Sequence, residues 1–61
     1  MTGKQLRAIR RKLGLTQKEL AKELGIHWNS VARQERGEVG VSEPIARLVR
    51  LMAGRRGEKR I

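Results

Sequence analysis

Cysteine, aspartate, phenylalanine and tyrosine are all missing from these 61 residues, and histidine, proline and tryptophan occur once each. Without cysteine there is no disulfide framework and no thiolate metal site. One histidine does not build a zinc site, so the sequence implies neither a metal nor another cofactor. No carboxylate pair and no glycine-rich phosphate loop is present, and His27 beside Ser30 is too little for a nucleophile and its base; the chain does not read as an enzyme. A single aromatic ring, Trp28, is too few for a module that stacks successive bases of a single strand. No apolar run approaches the roughly 20 residues of a membrane span, and no signal-peptide core follows Met1. The expected location is therefore cytoplasmic, with no membrane partner.

What is abundant is positive charge. Fifteen Lys and Arg against six acidic residues leave a net +9, a field that favours a polyanionic partner. Duplex DNA, RNA and an anionic membrane all qualify on charge; the shortage of aromatics favours the duplex. A chain of this length buries only roughly 60% of the surface it exposes when unfolded. Its stability must come from efficient helix packing, with help from dimerisation or from the ligand.

The apolar pattern predicts an all-α fold of four helices, with no strand-like alternation. The first spans about 2–13, with Leu6, Ile9 and Leu13 on one face and Thr2–Gln5 in capping-box spacing, and it stops at Gly14. The second opens on a capping box, Thr16 to Glu19, carries Leu20, Ala21 and Leu24 inward, and stops at Gly25. The third runs from near His27 to Arg36, before Gly37. The fourth takes Ser42 as N-cap and Pro44 in its first turn, and its expected buried stripe is Ile45, Leu48, Val49 and Met52. Leu51 lies off that stripe, a weak hint of a dimer contact. Residues 1–53 read as the folded domain, and 54–61, with little to bury, as a flexible basic tail.

Residues 16–36 are the unit that carries function. Two helices joined by about three residues including glycine, the second with a polar outer face, describe a helix-turn-helix. Here the sequence resembles the lambda-repressor-like (Cro/CI, or XRE-type) DNA-binding domains. The resemblance rests on Leu6-Arg7-x-x-Arg10, on Gly14-Leu15-Thr16-Gln17-x-Glu19-Leu20-Ala21, on Leu24-Gly25-Ile26 and on Val31-x-Arg33-x-Glu35-Arg36-Gly37. It covers about residues 4–53. It implies a bundle of four or five helices binding operator DNA as a homodimer, in a bacterial or phage-encoded regulator associated with the nucleoid. Family members include repressors and antitoxins.

On the third helix, 3.6-residue periodicity about Val31 sets Gln34 and Glu35 beside the buried face. Asn29, Arg33 and Arg36 fall opposite, with Ala32 between the two. Asn29 and Arg33 are one turn apart and suit adenine and guanine edges in the major groove. Trp28, Asn29, Ala32 and Arg33 are therefore the expected base contacts, although the Trp28 ring has a second reading as a cover over the junction of helices two and three. His27 departs from the usual Ser or Thr and makes a weaker N-cap. Gln17 sits at a helix N-terminus, where the resemblance assigns it a phosphate. His27, Arg36 and Gly40 in the 37–41 loop complete the expected phosphate contacts, which position the domain without reading sequence. Arg10 and Glu35 each border an apolar face, and a partly buried ion pair between them explains both. Two other readings stay open: an antitoxin-type regulator with a protein partner, and a basic RNA-binding module.

Overall fold

The computed structural model describes the backbone of residues 1–58 and the side chains of residues 1–54. It consists of four helices, α1 (Gly3–Lys12), α2 (Gln17–Leu24), α3 (Trp28–Arg36) and α4 (Glu43–Glu58), with no strand among the described residues. The chain is all-α, as its apolar spacing implies.

Each of the first three helices starts on a side-chain cap. The Thr2 hydroxyl accepts from the Gln5 amide at 3.1 Å, and the Gln5 side chain accepts from the Thr2 amide at 2.8 Å. Thr16 and Glu19 repeat the arrangement at 3.1 and 2.8 Å. Each box satisfies two backbone donors that a helix start otherwise leaves orphaned. At α3 the cap is His27, whose Nδ1 accepts from the Asn29 amide at 3.1 Å. The imidazole thus supplies the acceptor that Ser or Thr would normally bring.

The four largest fully buried side chains come one from each helix: Leu6, Leu20, Val31 and Val49. Burying each contributes roughly 1.5–3 kcal/mol, which makes this quartet the main reason the helices stay together. Ile9, Leu24, Ile26, Ile45 and Met52 pack around it, half-buried. On α4 the buried line is Ala46 and Val49, so Leu48, placed inward by the sequence, is 44% exposed. Its direction lies about 100° from Val49 on the helix, whereas Ile45 and Met52 flank Val49 closely.

The fourth helix also runs further than its apolar pattern implies. Helix α4 continues through Gly54 to Glu58, across the first part of the expected 54–61 tail. Gly54 does not adopt a positive φ and so does not cap. One interior glycine costs only about 1 kcal/mol against alanine, and no proline follows to stop the helix. Residues 59–61, the remainder of that tail, lie outside the described residues.

Gly3 fixes how α1 meets α3. A Cβ there would lie 2.3 Å from the Gln34 carbonyl oxygen and 2.7 Å from that of Glu35. The first turn of α1 therefore sits directly on the last turn of α3, bringing the positive end of one helix dipole against the negative end of the other.

Candidate nucleic-acid interface

The turn between α2 and α3 is built from Gly25, Ile26 and His27. Gly25 has φ +74°, and the Gly25 and Ile26 amides donate back to the Lys22 and Ala21 carbonyls at 3.3 and 3.0 Å. This is a Schellman closure, for which glycine carries no Cβ penalty. Ile26 then packs against the core and fixes the crossing of the two helices.

Arg10 and Glu35 meet beneath α3. Arg10 Nε and Nη2 donate to the two Glu35 carboxylate oxygens, the second at 3.1 Å. The side chains are 12% and 4% exposed. Two further bonds complete the cluster: Arg10 Nη1 donates to the Leu15 carbonyl at 2.9 Å, and Gln17 Nε2 donates to Glu35 Oε1 at 3.1 Å. The bidentate fork therefore ties α1 to α3, the carbonyl ties both to the α1–α2 connection, and the glutamine ties in the start of α2. Gln17 thus has a partner inside the protein that its place at a helix N-terminus did not reveal.

The outer face of α3 carries Asn29, Arg33 and Arg36, all exposed. Ala32, expected among the base contacts, is 2% exposed and belongs to the core. Because α3 packs against both α1 and α2, its buried face is wider than a stripe centred on Val31 and takes in Ala32 on one side and Gln34 on the other. Ala32 therefore offers no surface to a ligand in this structure. Gln34 is 8% exposed, and its Oε1 has no hydrogen-bond partner.

Trp28 stands at the rim, 43% exposed. Lys18 Nζ of α2 lies 5.8 Å from the ring centroid, and the His27 ring stacks on it at 5.8 Å with 29° between planes. The indole thus covers the α2–α3 junction and leaves nearly half its surface free. Lys18 gains a cation–π contact in the process. His27 is exposed. Gly40 is exposed in the loop after α3.

Sequence reasoning missed Glu38. Gly37 closes α3 at φ +80°, and the Glu38 amide donates to the Arg33 carbonyl at 3.0 Å, so the chain folds back over the last turn. There the Glu38 carboxylate accepts from Arg36 Nε at 2.7 Å and lies 3.5 Å from Arg33 Nε. The hydrogen bond from Arg36 holds the Glu38 carboxyl below its ordinary pKa, with the nearby charges of Arg36 and Arg33 adding to the effect. The same bond raises Arg36. A Gly immediately after an Arg-x-x-Arg helix end was the signal available, since a Schellman closure returns the next residue to that face.

A helix-turn-helix domain family model matches residues 3–54, and the chain belongs to that family. The family is one of DNA-binding domains, and its unit here is α2, the Gly25 turn and α3. No curated protein and no solved structure matches the chain. Among the described residues no helix is long and apolar enough to cross a membrane.

Proposed function

We propose that the protein is a sequence-specific, double-stranded DNA-binding transcriptional regulator of the repressor type, acting in the cytoplasm, with α3 in the major groove. The observation that carries this reading is the outer face of α3, where Asn29 and Arg33 stand exposed one turn apart on a helix whose other side is anchored by Val31, Ala32 and the Arg10–Glu35 pair. Asn and Arg are the side chains whose paired donors and acceptors match adenine and guanine edges. Trp28, with free ring surface at the start of the helix, suits a thymine methyl. His27 and Arg36 flank this face and suit phosphates. Gln17 reaches a phosphate with the second amide hydrogen, the first being held by Glu35, and Gly40 lets the loop backbone approach the strand.

The exposed Leu48 and Leu51, with Pro44, line a shallow apolar groove on α4. That surface supports weak or DNA-dependent homodimerisation on a pseudo-palindromic operator, with half-sites about one helical turn apart. It also suits a protein partner, as an antitoxin-type regulator would need.

Selection of bound sequences from a random duplex library tests the central reading. Enrichment of a defined motif is expected, and Arg33→Ala should relax preference at one base position, costing about 1–3 kcal/mol on the preferred sequence. Enrichment of no motif, or equal affinity for duplex RNA, would replace the regulator with a general basic nucleic-acid binder.

A further inference from the structure

Between Thr16 and Glu38 the four basic residues Lys18, Lys22, Arg33 and Arg36 are matched by Glu19, Glu23, Glu35 and Glu38. The whole net charge of +9 therefore lies outside this segment, and residues 16–36, the helix-turn-helix unit itself, are left with +1 that Glu38 cancels. Three of those four glutamates have evident tasks or none at this face: Glu19 caps α2, Glu35 is buried against Arg10, and Glu23 is exposed on α2. Glu38 alone sits on the outer face of α3, beside both arginines offered to the ligand. An anionic side chain at a surface meant for a polyanion opposes binding unless it does something there.

We propose that Glu38 is a positioning residue that sets sequence specificity, by holding Arg33 and Arg36 through their Nε edges and cancelling part of their attraction for phosphate. This rests on the reading of α3 as the DNA-reading helix. Two physical consequences follow from the geometry. With Nε turned to Glu38, each guanidinium keeps its Nη groups free, and on Arg33 these form the fork that matches guanine O6 and N7. Holding the long side chains near one arrangement also removes rotamer freedom before binding rather than during it. Meanwhile the carboxylate lowers the gain from any arbitrary phosphate, a contact available on every sequence, more than the gain from the correctly placed base. The Schellman closure at Gly37 makes this possible, since it fixes the Glu38 backbone over the last turn of α3.

The test compares Glu38→Gln with Glu23→Gln, which removes the same charge from a position without these contacts. Affinities are measured for the duplex selected by the wild-type protein and for a scrambled duplex, over a series of salt concentrations. For Glu38→Gln the scrambled duplex should bind about tenfold more tightly and the selected duplex no more than about threefold, so the specificity ratio falls at least threefold. The salt dependence on the scrambled duplex should steepen by about one unit of slope, as one more phosphate is engaged. Glu23→Gln should leave the ratio unchanged. Melting of Glu38→Gln within a few degrees of wild type shows that the fold is intact, as expected for an exposed side chain. An unchanged ratio, or an equal change in both variants, overturns the role of Glu38 while leaving the DNA reading in place. A wild-type protein with no preference for any duplex overturns both.

Discussion

The residue with most at stake is Glu35, because three of the four helices share its carboxylate. A buried ion pair contributes little net stability over an apolar pair, yet removing one partner leaves a desolvated charge and costs about 3–5 kcal/mol. A domain of this length has only about 3–9 kcal/mol to lose. Glu35→Ala should therefore abolish most of the cooperative thermal transition followed by circular dichroism, before any DNA contact is at issue. The double variant Arg10→Met with Glu35→Leu should recover much of the loss, since neither charge remains; a double variant as unstable as the single one would show that the bonds from Arg10 to the Leu15 carbonyl and from Gln17 to Glu35 matter more than the pair. Gln34 presents the opposite case. Its buried Oε1 lacks a partner, so Gln34→Met should raise stability by roughly 1 kcal/mol, read as a higher melting temperature. At the surface, the Arg36 hydrogen bond depresses the Glu38 pKa. Its sign is that of a native-state carboxylate bond: the contribution is present above the ordinary carboxylate pKa and is lost as pH falls through the depressed one. A titration followed by NMR should give Glu38 a midpoint below the ordinary carboxylate value, and Arg36→Gln should move it upward.

At the scale of the helices, capping, periodicity and glycine placement act locally, and this is why so much of the architecture was legible. Thr2 and Thr16 announce their helix starts within four residues, Gly25 and Gly37 announce two ends, and Arg10 and Glu35 each declare themselves as charges on an apolar border. What was not legible depends on where one helix meets another. Ala32 looked half outward because a single helix wheel does not know that α3 is flanked on two sides. Leu48 looked inward because the position of α4 against α1 decides which neighbour of Val49 is covered. Gly3 lies within the Thr2–Gln5 capping box, and nothing in that spacing says that it is also a point of close approach between α1 and α3. Gly3→Ala separates these readings by sign. Helix propensity alone predicts a gain of up to about 1 kcal/mol. A Cβ placed 2.3 Å from a backbone carbonyl predicts a loss of about 1–3 kcal/mol from overpacking. We expect the loss, measured by denaturant unfolding, and a gain would mean that α1 shifts freely along α3.

For the molecule as a whole, the proposed reading surface and most of the net positive charge occupy different parts of the chain. The segment from Thr16 to Glu38 is electrically neutral, while α1 carries Lys4, Arg7, Arg10, Arg11 and Lys12 and no acidic residue. Of these only Arg10 is used internally among the described residues; Lys4, Arg7 and Arg11 share the exposed side of the helix, opposite Leu6, Ile9 and Leu13. Such a stripe attracts any phosphate backbone and recognises none, because long-range attraction does not depend on base order. The triple variant Lys4→Gln, Arg7→Gln and Arg11→Gln should therefore weaken binding to selected and scrambled duplexes by the same factor. It should slow association and flatten the salt dependence by up to about 0.9 units of slope for each phosphate no longer neutralised, with the preferred sequence unaltered. Glu38→Gln is expected to do the reverse, strengthening binding while eroding preference. If the α1 variant instead changed the ratio between duplexes, α1 would have to touch bases, and the separation of a charged recruiting helix from a neutral reading segment would not hold.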